Sequence, residues 1–370
     1  MSDENHSSSN YSLNCVYSIV QFLRGESSFI PFSDVKSSQT HLLQIIAHHG
    51  LAGHILNHRN FNSLDVSLQK AIKALYLNIS VRNTQLFETY NRISENFKLN
   101  NIEFLPLKGA FLLPSVYGDI AARNISDLDI LIHPNDYNSC KAILLEMGAT
   151  QFEEESEQFL QNLGHQYAPY WLYNTSIELH NRILSLNLRY AIPVEDVWNN
   201  LVEYNSTASV CKGIEPNLLV IYLAMHIHYS EMRGEYRIYW YMDIAILLNS
   251  TNRVDVSQVL ALSKRYGNTK PLLKVLSKVS YLFNFEIAGV KKLNANQINS
   301  FLQNLSQLKK PANKGYSIAI ERVIHTKGIK NRYRFVTQSI LNGSVNSPKD
   351  ILNRLSSVAI KLFGYLVKRR

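Results

Sequence analysis

The chain has 370 residues, of which 46% are apolar and 18% are charged, and its formal net charge is +9 at pH 7. This composition is typical of a soluble globular protein with two or three domains. It excludes a membrane-spanning helix, because no apolar stretch reaches the roughly 18 to 20 residues that such a helix requires. Cys15, Cys140 and Cys211 are too widely spaced to indicate a disulfide framework or a zinc site.

The two ends of the chain differ in charge. The first residues, MSDENHSSSNYS, are polar and acidic, whereas a secretory signal is basic and then apolar, so we expect a cytoplasmic protein. Residues 309–370 contain 14 Lys or Arg and two acidic residues, a net charge of +12 that leaves −3 on the preceding residues. Such a tail attracts an anionic partner, and its composition does not distinguish nucleic acid from acidic lipid or an acidic protein.

Residues 1–99 are predicted to form an N-terminal helical region. Apolar residues recur at helical spacing throughout residues 13–99, as in CVYSIVQFLR and THLLQIIAHHGLAGHILNH.

Residues 100–183 are predicted to form a core of their own, a small mixed β-sheet with helices packed on it. Short β-type runs alternate with short helical runs along this part of the chain. The predicted strands are 102–107, 127–132, 149–153, 165–172 and 176–182, and the predicted helices are 109–117 and 136–147. The fold class is therefore α+β, with helical regions on both sides of the sheet in sequence.

After Pro193 helical periodicity is predicted to continue to the end of the chain. The segment EPNLLVIYLAMHIHYS is apolar on nearly every side, which indicates a buried helix. We divide this part into a helical domain, residues 184–308, with a possible pocket, and a basic helical tail, residues 309–370.

The tail is predicted to end in an amphipathic helix over residues 347–370. Ser347 is its expected N-cap, Pro348 its first helical residue, and Asp350 lies near the positive end of the helix dipole. Docking on the body of the protein is our first interpretation. The alternative is a peripheral position on an anionic membrane surface.

The segment RNISDLDILI, residues 123–132, contains the candidate metal ligands. On a strand, Asp127 and Asp129 point to one face while Leu128 and Ile130 point to the other. Because two nearby carboxylates repel, a divalent cation such as Mg²⁺ is one explanation for their spacing. The alternative is that one aspartate caps a turn and the other is solvated on an edge strand.

Two further segments supply candidate partners for these aspartates. EFLPLKGAFLLPSVYG predicts a strand that runs into Lys108 and Gly109 at the start of a short helix, where backbone N–H groups and the lysine charge suit a phosphate. TSIELHNRI predicts an alternating strand on which Glu178 and His180 share one face. Glu178 is therefore a third candidate carboxylate.

This arrangement resembles the nucleotidyltransferase superfamily related to DNA polymerase β. More narrowly, LPLKGAFLL, YGDIAARNISDLDILI, LGHQYAPYWLYNTSIELHNRI and RIYWYMDIAILL resemble an uncharacterised nucleotidyltransferase family with LKG, RxxxDxD, ELH and WxxD signatures. The resemblance covers roughly residues 40–250. This chain has Lys108-Gly109 where familiar superfamily members have Gly-Ser.

The resemblance implies in-line displacement at the α-phosphate of an NTP and transfer of its NMP group to an unidentified acceptor hydroxyl or phosphate. Asp127 and Asp129 would hold one or two Mg²⁺ (or Mn²⁺) ions, and Glu178 would complete the ligand set or act as a base.

The nucleotide itself is expected to contact residues beside the carboxylates. Lys108 and Gly109 would bind its phosphates, and Arg123 would brace a phosphate or form a surface salt bridge. Ser126 would orient the strand entry through a backbone hydrogen bond.

Four other polar residues are candidates for lining the pocket: His165, His180, His226 and Asp243. His180 either contacts the metal or substrate or simply hydrogen-bonds Glu178. His226 and Asp243 lie on two apolar helices, where they either hydrogen-bond each other or line the acceptor pocket.

The sequence thus predicts a metal-dependent nucleotidyltransferase. One alternative is a non-catalytic binding protein of the same fold whose basic tail holds an anionic partner. Another is an enzyme that transfers a different phosphorus-containing group.

Overall fold

The structure is a computed structural model that describes residues 2–27, 36–151, 164–186, 188–205, 210–250, 253–308, 316–332 and 335. The predicted amphipathic helix over residues 347–370 lies outside this set. Among the described residues, no helix combines the length and apolar character that crossing a bilayer requires.

The N-terminal region contains four α-helices within the part of the chain that is described, as the periodicity predicts. They are α1 (Ser2–Leu23), α2 (Lys36–His48), α3 (Ala52–Leu56) and α4 (Val66–Leu99). The N-cap of α4 is Asp65, whose carboxylate accepts hydrogen bonds from the backbone N–H groups of Ser67 and Leu68. Farther along α4, Ile93 and Phe97 are fully buried against the central sheet.

Five strands form the central sheet, in the spatial order β1-β2-β5-β4-β3. They are β1 (Phe104–Pro106), β2 (Asp127–Ile132), β3 (Thr150–Gln151), β4 (Tyr170–Leu172) and β5 (Thr175–His180). β2 and β5 pair in parallel, whereas the other neighbours are antiparallel, so the sheet is mixed as predicted. Helix α5 (Lys108–Leu112) continues into a π-helical turn (Leu113–Tyr117), and α6 (Tyr137–Glu146) follows β2. This architecture confirms the α+β fold class.

The two faces of β2 contribute to two different hydrophobic cores. Leu128 and Ile130 pack in one core with Phe97 of α4. Leu131 packs in the other core, which the N-terminal helices and the helices after the sheet build together. Because side chains alternate along a strand, Asp127 and Asp129 lie on the face of Leu131. The candidate site therefore faces the helices that follow the sheet.

Residues 184–308 are mainly helical in their described part. The helices are α7 (Val194–Trp198), α8 (Pro216–Met232), α9 (Ile238–Ser250), α10 (Val256–Arg265), α11 (Thr269–Phe283) and α12 (Ala295–Leu305). α8 is buried along nearly its whole length, as its apolar sequence predicts. Its residues Leu223, His226 and Ile227 cover the candidate site.

A β-hairpin interrupts these helices, and the prediction of uninterrupted helix after Pro193 is wrong there. Strands β6 (Leu201–Asn205) and β7 (Val210–Ile214) pair antiparallel. Tyr204 is buried, and its ring meets the ring of Phe111 edge-on, with centroids 4.8 Å apart. The hairpin thus packs against α5, a contact between residues distant in sequence that helical periodicity does not reveal.

Part of the basic tail is described as helix α13 (Tyr316–His325). Glu321 accepts hydrogen bonds from the Tyr229 hydroxyl at 3.3 Å and from the Arg189 backbone N–H at 3.1 Å. These bonds attach α13 to α8. The domain boundaries proposed after residues 99, 183 and 308 stay predictions.

Candidate active site

The parallel pairing of β2 and β5 places the candidate carboxylates side by side. Asp129 is the register partner of Glu178, and Asp127 is the partner of Ser176. Paired residues project from the same face of a sheet, so all three carboxylates lie on one face. Alternation within each strand was visible in the sequence, but the pairing that joins the strands was not.

Asp129 is the most buried member of this group, with a side chain 3% exposed. Its Oδ1 accepts hydrogen bonds from Lys108 Nζ at 2.7 Å and from His180 Nε2 at 2.8 Å. Burial alone would raise the pKa of this carboxyl, but the Lys108 charge and the His180 bond outweigh it and hold the pKa well below its ordinary value. Asp129 is therefore an ionised carboxylate at neutral pH.

Asp127 has the opposite electrostatic environment. The Ser126 hydroxyl donates a hydrogen bond to its Oδ1 at 2.8 Å. Burial and the negative charges of Asp129 and Glu178 nevertheless raise the pKa of Asp127 above its ordinary value, against the opposing effect of Lys108. Negative charge thus accumulates at this edge of the sheet, and a bound cation would relieve it.

The ligand atoms of Asp129, Glu178 and His180 lie within 4.8 Å of one another, so these residues fit a metal ion. Mg²⁺ prefers oxygen ligands, which favours Asp129 and Glu178, with Asp127 next to them. His180 is fully buried, and its Nε2 lies 2.8 Å from Asp129 but 3.7 Å from Glu178. We therefore interpret His180 as the group that orients the Asp129 carboxylate, a common arrangement around metal ligands.

Lys108 occupies a strained turn between β1 and α5. Its φ is +44°, a left-handed conformation that costs a non-glycine residue on the order of 1 kcal/mol. Burial lowers the pKa of its ammonium group, but the Asp129 charge, with smaller effects of Tyr222, Asp127 and the hydrogen bond to Asp129, outweighs burial and raises the pKa above its ordinary value. The turn thus presents a permanent positive charge to Asp129.

Because Gly109 has no side chain, the side chains of Ile125 and Arg123 can pack close to its backbone. A Cβ atom at this position would lie 2.9 Å from Ile125 Cγ1 and 3.2 Å from a guanidinium nitrogen of Arg123. Any larger residue would therefore force the Ile125 side chain, and to a smaller extent the Arg123 side chain, to shift. Its role in phosphate binding stays a prediction.

Arg123 forms a buried ion pair, so the interpretation as a surface salt bridge is wrong. Its Nε lies 2.9 Å from Asp243 Oδ1, and the two side chains are 5% and 3% exposed. The Tyr117 hydroxyl donates a hydrogen bond to the same oxygen at 2.6 Å, and the Arg123 guanidinium lies over the Tyr239 ring. Burial raises the pKa of Asp243 to about 6, against the opposing charge of Arg123. These contacts join α9 to the loop before β2.

Two cavities meet at the carboxylates. The first, of about 100 Å³, is lined by most of the predicted site residues: Lys108, Gly109, Arg123, Ser126, Asp127, Asp129, His226 and Asp243. The second, of about 510 Å³, contains Glu178 and His165 and shares Lys108, Asp127 and His226 with the first. The structure thus brings the predicted residues together around one junction between the cavities.

The remaining histidines are neutral neighbours of this junction. His226 packs edge-on against the Trp240 ring, and Asp243 instead bonds Tyr117 and Arg123, so the predicted His226–Asp243 hydrogen bond is wrong. His165 Nδ1 lies 2.8 Å from Ser185 Oγ. Burial lowers the pKa of both His165 and His226 well below the ordinary value.

Sequence reasoning missed several residues that shape the site. Tyr117 holds Asp243, and Asn83 of α4 donates to the carbonyl oxygens of Ile120 and Arg123. No local pattern identifies either residue, because an asparagine in a long helix is usually solvated. Arg233 and Arg322, which line the second cavity, were also missed.

A family model described as an uncharacterised nucleotidyltransferase matches residues 36–284, more than half of the chain. This match confirms the resemblance inferred from the motifs. No curated protein and no solved structure matches the chain significantly.

Proposed function

The chain belongs to the uncharacterised nucleotidyltransferase family, and we propose that it is a metal-dependent enzyme that transfers an NMP group from an NTP to an acceptor. The observation that carries this proposal is the alignment of Asp129 with Glu178 on parallel strands, with Asp127 on the same face. Two neighbouring cavities open at these carboxylates and share Lys108, Asp127 and His226.

Asp127, Asp129 and Glu178 would hold the metal, with His180 fixing the orientation of the Asp129 carboxylate. A bound Mg²⁺ or Mn²⁺ ion supplies charge neutralisation on phosphates and lowers the pKa of a hydroxyl. Lys108 contributes a further positive charge at the junction of both cavities. This combination suits phosphoryl chemistry, in which positioning and charge stabilisation dominate.

The two cavities suggest separate binding sites for the nucleotide and the acceptor. We assign the phosphates of the nucleotide to the first cavity, where Gly109, Arg123 and Ser126 lie beside the aspartates. We assign the acceptor to the second, where Glu178 is 20% exposed and is available to take a proton from an acceptor hydroxyl.

Calorimetry with four non-hydrolysable NTPs, each with and without Mg²⁺, tests the proposal. We expect Mg²⁺-dependent binding to the wild type, loss of binding in Asp129→Asn, and weaker binding in Glu178→Gln. Glu95→Gln, at an exposed position on α4, is the matched carboxylate control and should bind normally.

A folded wild-type protein that binds none of the four NTPs would contradict the proposal. Salt-sensitive binding of RNA or of anionic vesicles by that same protein would then support the alternative, a binding protein with a basic tail.

A further inference from the structure

Two arginines line the second cavity without a part in the proposed metal chemistry. Arg233 follows the end of α8, and Arg322 lies on α13. Both face the same cavity as Glu178 and Lys108, and neither lines the first cavity. Two guanidinium groups beside a catalytic carboxylate raise the question of which anion they bind.

Arg322 is the less neutralised of the two. Within the described part of the chain, its Nε atom is buried and has no hydrogen-bond partner. The adjacent Glu321 carboxylate accepts hydrogen bonds at its Oε1 from the Tyr229 hydroxyl and the Arg189 backbone N–H. Burial and the positive charge of Arg233 lower the pKa of Arg322. A guanidinium whose buried Nε has no partner is unfavourable unless an anion binds to it.

Arg233 is only partly neutralised. Its Nε lies 3.4 Å from Glu235 Oε2, and its Nη2 donates to Ser230 Oγ at 3.1 Å. Its side chain is 32% exposed, which leaves guanidinium surface available in the cavity. Two guanidinium groups match the geometry and the double charge of a phosphate monoester better than a single carboxylate.

The rest of the cavity suits a small molecule. Its volume of about 510 Å³ falls within the usual range for metabolite sites. Leu184 and Leu188 supply apolar wall, while Gln166 and Ser185 add neutral polar groups. The positively charged side chains that line the cavity are thus Arg233, Arg322 and Lys108. The negatively charged ones are Asp127 and Glu178.

We propose that Arg233 and Arg322 bind the phosphate group of a small phosphorylated acceptor, whose hydroxyl lies at Glu178. This inference rests on the proposed function and adds to it the chemical class of the acceptor. The arginines hold the acceptor's own phosphate and take no part in binding the NTP.

Binding of phosphate probes in the absence of NTP and metal tests the inference directly. The probes are inorganic phosphate, ribose 5-phosphate and uncharged ribose, each titrated into wild type, Arg322→Gln and Arg233→Gln by calorimetry. We expect both phosphates, but not ribose, to bind the wild type, and Arg322→Gln to weaken this binding about tenfold or more. Arg82→Gln, at an exposed position on α4, is the matched control and should bind like the wild type.

Equal phosphate affinity in wild type and both cavity variants would overturn the inference, as would a folded wild type that binds neither phosphate. Circular dichroism and thermal unfolding of each variant establish that it is folded. Arg322→Lys provides a second check, because it keeps the charge but loses the planar fork and should bind more weakly than the wild type.

Failure of the inference and failure of the proposed function give different results. If Arg322→Gln instead weakens Mg²⁺-dependent NTP binding, the arginines hold the donor's phosphates and the acceptor inference is overturned while the proposed function stands. If no NTP binds but phosphate binding still depends on Arg322, the anion site stands and the proposed function fails.

Discussion

Two ion pairs that line the first cavity, Arg123–Asp243 and Lys108–Asp129, differ in how deeply the protein buries their cations. Arg123 and Asp243 are almost completely buried, and Tyr117 and Tyr239 enclose them. Lys108, by contrast, is 21% exposed and reaches both cavities. The buried pair Arg123–Asp243 has a structural environment, and we call it the clamp. In the pair Lys108–Asp129, the lysine charge is free to change partners when substrate binds.

The chemistry of the two cations supports this distinction. Arginine forms a planar fork that stacks on aromatic rings, as Arg123 does on Tyr239 at 4.8 Å. Lysine carries a compact charge on a flexible stem, so moving it to a phosphate costs little rearrangement. A similar pairing of charges therefore suits packing at Arg123–Asp243 and, as we propose, ligand binding at Lys108–Asp129.

Arg123→Met breaks the clamp and is expected to have the largest effect. It leaves Asp243 buried without its charged partner, which typically costs about 3–5 kcal/mol of unfolding free energy. Urea denaturation monitored by circular dichroism measures this loss. The double variant Arg123→Met with Asp243→Leu should recover much of it, and a loss below about 1 kcal/mol in the single variant would show that the pair is not a clamp.

The clamp should also leave a signature in the pH dependence of stability. Burial raises the pKa of Asp243 from 3.8 in the unfolded chain to about 6, so the folded state binds a proton more tightly than the unfolded state. Ionisation of Asp243 therefore destabilises the folded protein as the pH rises from about 4 to 6, by about 3 kcal/mol in total.

Denaturation of wild type and Asp243→Asn at pH 4.5 and 7 measures this contribution. The variant cannot titrate, so its stability should fall less, or rise more, between these two pH values. Asp129 does not interfere, because the stabilisation that its lowered pKa gives the fold is almost fully present above about pH 4, and this contribution changes with pH only below that value. Parallel pH profiles for the two proteins would contradict the raised pKa.

Asp129→Asn tests the second ion pair, Lys108–Asp129. Removing the carboxylate that Lys108 and His180 orient should weaken Mn²⁺ binding about a hundredfold or more. The electron paramagnetic resonance signal of free Mn²⁺ during a titration measures the affinity directly, without need of an acceptor. Glu95→Gln is the control, and unchanged Mn²⁺ affinity in Asp129→Asn would remove Asp129 from the metal site.

Lys108→Gln is expected to have the smallest effect. It distinguishes a ligand-binding role of Lys108 from the structural role of Arg123. NTP affinity should fall about tenfold through loss of a charged hydrogen bond. Mn²⁺ should bind more tightly without nucleotide, because a cation that competes for Asp129 Oδ1 is gone. The loss of stability should stay below that of Arg123→Met, since Asp129 keeps its bond from His180. A loss as large as that of Arg123→Met would identify Lys108 as a second clamp.

Much of the candidate site was predictable because its signals are local. The alternation in SDLDILI and TSIELH predicted which side chains share a face on β2 and on β5, and the structure has both strands at nearly the predicted bounds. Turn-forming residues likewise predicted the end of β4, where Tyr173 and Asn174 adopt left-handed conformations.

Other features depend on contacts between distant residues, and the predictions failed or were silent there. The hairpin of β6 and β7 lies in a region read as helical, and it packs its Tyr204 on Phe111 of α5. Asp243 was matched with His226, yet its ionic partner lies 120 residues earlier, at Arg123. The arginines of the second cavity come from α13 and from the end of α8, which no sequence spacing relates.

The sequence by itself determined the fold class, the family and the strands that carry the carboxylates, because side-chain periodicity and short motifs are properties of neighbouring residues. Tertiary structure alone decided that β2 and β5 pair in parallel with Asp129 beside Glu178. It also decided that Lys108 neutralises Asp129 while Arg123 neutralises Asp243. The physical reason is that the strength and the partner of a buried charge depend on what surrounds it in space, which packing of the whole chain establishes.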